Sequence, residues 1–200
     1  MSTSYESTGR TRQKARTRSA LVAATRELLA EGTTPTVEQA ADRAGISRTT
    51  AYRYFTNRGE LLAATYPDIE RSSLLGDDAP ADPHERFDAI VRRFVDSIVE
   101  YEPELRAQLR LALTPDLHGA VDLPLRRGRA IAWLEDAIAP FGLPAKEARR
   151  LAIAIRAATG IEVLVWMTDI ARLSRDEAAA TMRSSARALL EAGLRERGLA

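Results

Sequence analysis

Between residues 11 and 30, Leu21, Val22, Leu28 and Leu29, with Thr25 among them, recur at the three- and four-residue steps of one helix face. Gly32 closes that helix. The stretch "TVEQ" sets Thr36 three residues before Gln39, the spacing of a reciprocal cap, and predicts a short helix stopping at Gly45. Ser47 caps a helix to about Phe55, and "NRGE" (Asn57 to Glu60) opens another through Leu61 and Leu62 toward Tyr66. Caps so closely spaced mean short helices crossing at steep angles. Further on, amphipathic patterns predict helices over about 84–101, 103–114, 123–139, 145–171 and 175–197. They are punctuated by Pro103, Pro115, Pro124, Pro140 with Gly142 and Pro144, and Ser174. No long alternation of the strand type appears, and there is no internal repeat. The fold class is all-α.

Pro67 and "LLGDDAPADP" (Leu74 to Pro83) divide the chain. The expected organisation is a disordered, basic-leaning arm over 1–10, a small three-helix unit over 11–66 and a larger helical bundle over 67–200. Apolar content of 45% with 28% charged residues is that of a globular chain able to bury a core, not of a disordered one. Cysteine is absent, which excludes disulfides, thiolate nucleophiles and Cys-based zinc sites. The polar N-terminus lacks a signal-peptide core, and the longest apolar run, Ile161 to Met167, already contains Glu162. A cytoplasmic location without a membrane partner is the expectation.

The formal net charge of +1 conceals an asymmetry: residues 1–60 carry a net +4 and residues 61–200 a net −3. A basic end on an acidic body points to a polyanion partner at one end only. The cationic groups concentrate in "GISRTTAYRYFTNRGELL" (Gly45 to Leu62), with no acid from Arg43 to Gly59. Counting from Val37, small or apolar residues fall at Ala40, Ala41, Ala44, Ile46, Ala51 and Phe55, with Gly45 at the turn. That is the spacing of a helix-turn-helix, in which Ala41 permits close helix crossing and Gly45 takes a left-handed turn conformation. Ala51 and Phe55 face inward together, leaving Arg48, Thr49, Tyr52 and Arg53 outward. A guanidinium grips guanine O6 and N7 with two bonds, threonine meets a thymine methyl or a phosphate, and tyrosine hydroxyls suit phosphate oxygens. The bland alternative, a three-helix core that is basic outside, explains the alanines and glycine but not the outward cluster or the missing acids. The expected partner is therefore double-stranded DNA.

The same residues, "TVEQAADRAGISRTTAYRYFTNRGELL", resemble the N-terminal signature of the TetR family of transcriptional regulators. The shared pattern is the Thr36-started helix, the Ala44 to Ser47 turn, Tyr52 to Phe55, and Glu60 with Leu61. It covers about residues 11–66. Thr49 stands where the family often has glycine, and Arg58 replaces a usual lysine. Beyond this segment only length and helical character agree. The resemblance implies a homodimer, joined through about 145–197, that binds a palindromic operator as a repressor. A small-molecule effector in the bundle would release it. By the same resemblance Arg48, Thr49, Thr50 and Arg53 approach bases, while Thr36, Tyr52, Tyr54 and Arg58 hold phosphates. An activator or a constitutive DNA-binding protein fits the same residues, since the sign of regulation lies in operator position. The competing class is a helical enzyme or small-molecule-binding protein whose basic unit only packs.

"RTRQKARTR" sets Arg10, Arg12, Lys14, Arg16 and Arg18 at every second position, read equally as a solubilising tail or as an arm along DNA. Ala148, Ala152 and Gly160, and Ala178, Ala179, Ser185 and Ala186, form small-residue stripes that suit either intrachain packing or a dimer interface. Phe94, Tyr101, Arg110, Trp133, Glu162 and Trp166 are candidates for an effector pocket, against the commoner reading of large groups as core. Glu162, in an apolar run, needs a partner: Arg156 or Arg110, a second subunit, or a cationic ligand. His84 and His118 have no ligand spacing, and both are read as surface residues. No metal site, cofactor, catalytic constellation or nucleotide fingerprint is expected.

Overall fold

A computed structural model describes residues 3–66, 73–76, 79–113 and 129–198. The described residues are helical, without strands. Four helices make the N-terminal part: α1 (Thr3–Ala30), α2 (Val37–Arg43), α3 (Arg48–Tyr52) and α4 (Arg58–Ala63). The body contains α5 (Pro83–Glu100), α6 (Glu102–Leu113), α7 (Arg129–Ile138), α8 (Ala145–Thr159), α9 (Ile161–Val165) and α10 (Arg175–Arg195). A 3-10 turn, Ala139–Phe141, follows α7, and a turn of π-helix, Trp166–Ile170, follows α9. His118, the start of the helix expected over 123–139, and Pro67 lie outside the described residues.

Helix α1 reaches back to Thr3, where the sequence reading expects a disordered arm and a start near Thr11. No proline interrupts this stretch, and each residue added to an existing helix gains a hydrogen bond without a new nucleation cost. At its other end Gly32, at φ 81°, takes the left-handed position. Gly32 N–H donates to Leu29 O at 3.0 Å and Thr33 N–H to Leu28 O at 2.9 Å, which satisfies two terminal carbonyls.

Each part has its own core. Leu21, Val37, Ala40, Ala41, Ala51, Phe55 and Leu61 cluster in the N-terminal part, as the periodicity predicts. In the body, Phe87, Ile90, Phe94, Trp133, Leu134, Ile155, Leu164, Met182 and Leu190 lie at the centre of one cluster drawn from α5 to α10. A small third cluster of Leu29, Leu62 and Ala107, with Leu111 against it, joins the two. Helix α6 makes the polar part of that joint. Gln108 Nε2 donates to Leu62 O at 3.0 Å, and Arg110 Nη2 donates to Thr34 Oγ1 at 2.8 Å. From α1, Arg26 Nε donates to Thr65 O at 3.1 Å and its guanidinium lies 5.7 Å from the Tyr101 ring centre.

The helix expected over 145–171 is broken. Gly160, at ψ 175°, is extended, and the Arg156–Glu162 ion pair closes over it. A Cβ at Gly160 would stand 1.6 Å from Arg156 Nη1, so the pair and a side chain there exclude one another. By length and composition alone Ala145–Ile170 is apolar enough to cross a membrane, a test that the core helix of a globular chain also meets. Ala152, Ile155, Ile161 and Leu164 on it are nevertheless buried in the body's core, while Ile153, Trp166 and Ile170 face outward. The small-residue stripes also resolve: Ala152, Gly160, Ala178, Ala179 and Ala186 are buried within one chain. On α10 the outward small residues are Ala180, Ser184 and Ala188 instead.

Candidate nucleic-acid interface

The local chemistry of residues 36–60 builds the site. Thr36 N–H donates to Gln39 Oε1 at 2.8 Å and Gln39 N–H to Thr36 Oγ1 at 3.3 Å, the reciprocal cap that starts α2. Helix α2 ends in a turn that only a residue tolerant of positive φ enters easily: Gly45 stands at φ 66°. Ile46 N–H reaches back to Ala41 O at 2.9 Å and Gly45 N–H to Asp42 O at 3.2 Å, so carbonyls in the last turn of α2 are paired as the chain reverses. Ser47 then caps α3, accepting from Thr50 N–H at 3.3 Å. Ala40, Ala41 and Ala51 are fully buried, so small side chains let α2 and α3 approach closely. Asn57 caps α4 by accepting from Glu60 N–H at 2.9 Å.

This frame turns Arg48, Thr49 and Arg53 outward. All three are exposed, and neither guanidinium forms a hydrogen bond or ion pair with the described residues. Thr50 is half-buried, and its hydroxyl accepts from Ser47 Oγ at 2.9 Å, so it serves the cap as well as the surface. Tyr54 is half-buried against the N-terminal core. Thr36 is exposed at the cap.

Arg58 is placed differently from the other candidates. Its guanidinium turns inward, donating from Nε to Pro35 O at 3.0 Å and from Nη2 to Thr34 O. Burial pushes this guanidinium's pKa down, and the nearby charge of Arg110 adds to the effect. Arg58 therefore braces the loop that enters α2, and Arg110 of α6 grips the same loop through Thr34. Arg43 is also structural, fixed to Glu31 by two bonds of 2.9 Å.

Tyr52 is 42% exposed, yet its hydroxyl donates to Glu38 Oε1 on α2. Glu38 is a residue the sequence reading missed. Local spacing carries no signal for it, since only the packing of α2 on α3 brings it beside Tyr52. The Tyr52 hydrogen bond is the main cause that lowers the Glu38 carboxyl to about 2, helped by its own N–H, the Thr36 hydroxyl and the charge of Arg48. The same bond pushes the Tyr52 phenol up.

The basic positions of the N-terminal segment fall on a helix, not on an extended arm. Arg12 and Arg16 are one turn apart, as are Lys14 and Arg18, and a two-residue step carries the two pairs to opposite sides. Arg18 lies 5.5 Å from the Phe55 ring centre, beside the helix-turn-helix.

The six residues expected to line an effector pocket do not converge. Phe94 and Trp133 are core, edge to face at 6.2 Å. Tyr101 packs on Tyr66 at 5.5 Å, and Arg110 serves the joint with the N-terminal part. Glu162 is paired with Arg156 through contacts of 3.1 and 3.3 Å. Burial pushes its carboxyl up, but the hydrogen bond and charge of Arg156 outweigh that and leave it lowered. Trp166 faces outward at 58% exposure. The periodicity placed these side chains on helices correctly but carried no information on which helix faces meet. A cleft of about 480 Å3 instead opens between residues 74–76 and α5, lined by Arg92, Arg93, Asp96, Ser97 and Glu100 among others. His84 is exposed, with Phe141 at 5.0 Å; His118 lies outside the described residues.

Residues 21–65, the segment just described, match the model of the bacterial regulatory proteins of the tetR family. The N-terminal domain is a tetR-family domain. No curated protein matches the chain. Among solved structures, a TetR transcriptional regulator from Rhodococcus sp. RHA1 is 18% identical, with 89% of this chain and 97% of that one covered at a TM-score of 0.53. A protein from Pseudomonas aeruginosa PAO1, described as a candidate transcriptional regulator, is 18% identical over 92% of this chain and 94% of its own, at 0.62. SmeT in complex with triclosan is 19% identical, covering 90% and 91%, at 0.50. These likenesses span the body as well as the tetR-family domain, and at such identity they establish a shared fold.

Proposed function

We propose that the protein is a dimeric transcriptional repressor that binds a palindromic operator and is released by a small molecule. The observation that carries this reading is the outward, unpartnered pair Arg48 and Arg53 on a short helix braced from behind. Helix α3 enters the major groove, with Arg48, Thr49, Thr50 and Arg53 toward base edges and Thr36, Tyr52 and Tyr54 toward phosphates. Arg58 acts indirectly, by fixing the entrance to α2. Separate hydrophobic cores support a division into a DNA-binding unit over 11–66 and an effector and dimerisation unit over 67–200, with α6 as the mechanical link.

The dimer reading draws support from the apolar side chains left outside. Ile153, Trp166 and Ile170 are 46%, 58% and 68% exposed, all within the 145–197 segment. Ile153 stands on α8 and Trp166 and Ile170 on the π-helical turn beyond Gly160, and large apolar groups left outside in this way mark a surface to be covered. A two-fold dimer presents two reading helices, which matches an inverted repeat with half-sites about one helical turn, or a multiple of it, apart. The effector is a further part of the reading, favoured by the joint at Gln108, Arg110 and Arg26, through which a shift of the body moves the reading helices. One structural relative, SmeT, is described in complex with a small molecule, triclosan.

The test is selection of duplexes from a random pool with the full chain, followed by sizing of the complex. Enrichment of an inverted repeat bound by two chains is expected. Enrichment of a single asymmetric half-site, or of no sequence at all, would sink the reading. A Trp166→Glu variant should run as a monomer and lose the repeat.

A further inference from the structure

The outward side of α2 and α3 carries a carboxylate among its cationic and hydroxyl groups, and that carboxylate is engaged. Tyr52, exposed on α3, donates its hydroxyl to Glu38 Oε1 from fourteen residues away. Arg48 lies close enough for its charge to act on both partners, and the Thr36 hydroxyl contributes to holding Glu38 as an anion. Tyr52, Arg48 and Thr36 are three of the side chains that the DNA-binding reading gives to the duplex. Tyr52 already gives its hydroxyl to an anionic oxygen, with the charge of Arg48 nearby and its guanidinium still free of any ion pair among the described residues.

We propose that Glu38 is an internal stand-in for a DNA phosphate, occupying the Tyr52 hydroxyl beside Arg48 until a duplex displaces it. The inference rests on the DNA-binding reading above. A carboxylate and a phosphate offer the same thing to a hydroxyl or guanidinium: anionic acceptor oxygens. An arriving phosphate must break the Tyr52–Glu38 bond and approach a like charge. Phosphates carry no sequence information, so this cost is the same on every duplex. Glu38 therefore lowers affinity for all DNA alike and leaves Arg48 and Arg53 to recover it where the base edges are right. The consequence is a protein held off arbitrary DNA without any change in its sequence preference. The alternative, in which Glu38 merely props Tyr52 for docking, predicts the opposite sign for its removal.

The full chain, Glu38→Gln, Glu38→Ala, Tyr52→Phe and the double variant Glu38→Gln/Tyr52→Phe are titrated against two probes by fluorescence anisotropy. One probe is a mixed-sequence duplex; the other is a duplex selected by the wild-type protein. Glu38 is partly solvent-exposed, and unchanged thermal melting of both Glu38 variants establishes that they fold. Loss of a hydrogen bond to a charged group corresponds to roughly tenfold in binding. Both Glu38 variants should therefore bind both probes about tenfold more tightly than wild type, and most of that gain should vanish in the double variant. Equal or weaker binding by the folded Glu38 variants would overturn the proposal while leaving DNA binding intact. A gain confined to the selected duplex would make Glu38 a reader of bases, and a gain undiminished in the double variant would remove Tyr52 from the account; either result also overturns it. If wild type and variants bind neither duplex, the DNA-binding reading fails and the proposal with it.

Discussion

Arginines at the two ends of this molecule are used in opposite ways. In the body many of them are matched to carboxylates: Arg86 to Asp136, Arg156 to Glu162, Arg183 to Asp96, Arg187 to Asp88 and Arg197 to Glu147. The most elaborate case is Glu102, buried at the start of α6. It receives Arg106 Nε at 2.7 Å and Arg175 Nε at 2.6 Å, while Arg106 also reaches Asp169 with two bonds of 2.7 Å. On α3, by contrast, Arg48 and Arg53 have been given nothing to hold, although Glu27, Glu31 and Asp42 are close in sequence and Glu31 is spent on Arg43. The difference teaches what to look for in a basic segment. Count matters less than which cations the fold leaves without a carboxylate. Glu38 refines the point, because it engages Tyr52 while leaving both guanidiniums outward.

The comparison breaks most visibly at Glu102. Glu102→Gln leaves two arginines facing a neutral amide in a buried place, and loss of one partner from such a set costs about 3 kcal/mol. Urea denaturation should show that loss as a lower midpoint at unchanged slope; an unaltered midpoint would mean that the body's ion pairs do not hold it together.

At the reading end, Arg53→Ala should cost about 2 kcal/mol of discrimination between the selected and a scrambled duplex while leaving stability unchanged. Arg183→Ala, which opens an ion pair of the body, should leave discrimination unaltered. Equal losses in the two variants would erase the distinction between free and paired arginines.

A smaller effect is expected at Arg172, which stands at φ 62° in the turn between the π-helical turn and α10. A side chain there is strained, and Arg172→Gly should raise stability by up to about 1 kcal/mol, read as a higher melting temperature. The smallest effect is in the acid limb. Arg106 is the main cause that lowers Asp169 from its ordinary 3.8 to about 2, aided by Thr168. Being depressed in the folded state, this carboxylate adds stability above its unfolded value and loses that contribution as pH falls toward about 2. Arg106→Leu should therefore begin to unfold at a higher pH on acid titration than wild type. Glu38 is also held at about 2, so its charge is constant through the neutral range and duplex binding there should not titrate with it.

The helix-turn-helix was legible in the sequence because its determinants are local. The Thr36–Gln39 cap, Gly45 in the turn, and Ala40, Ala41, Ala51 and Phe55 in the interior each follow from spacing within a few residues. The same holds for parts of the body, where Pro144 and Ser174 stand at the N-caps of α8 and α10. The pairing of Glu162 with Arg156 was among the partners the sequence allowed. Which side chains converge in the body was not legible. Phe94 and Trp133 are spent on the core, Trp166 points away, and Arg110 belongs to the joint, because which faces of α5 to α9 oppose one another depends on packing across the bundle. Arg58 went astray for a similar reason: its charge is visible in the sequence, but the carbonyls of Thr34 and Pro35 that capture it are not.

By itself, then, the chain's amino-acid order determined helix positions, caps, the tight turn, the basic and acidic ends, and which residues of α3 stand opposite its buried face. All of these depend on periodicity and on contacts a few residues apart. Tertiary structure alone decided which charges stay unpaired, that Gly160 lies beneath an ion pair, and that Glu38 meets Tyr52. Those outcomes require groups distant in the chain to come within hydrogen-bonding reach, and only the packing of one helix on another brings them there.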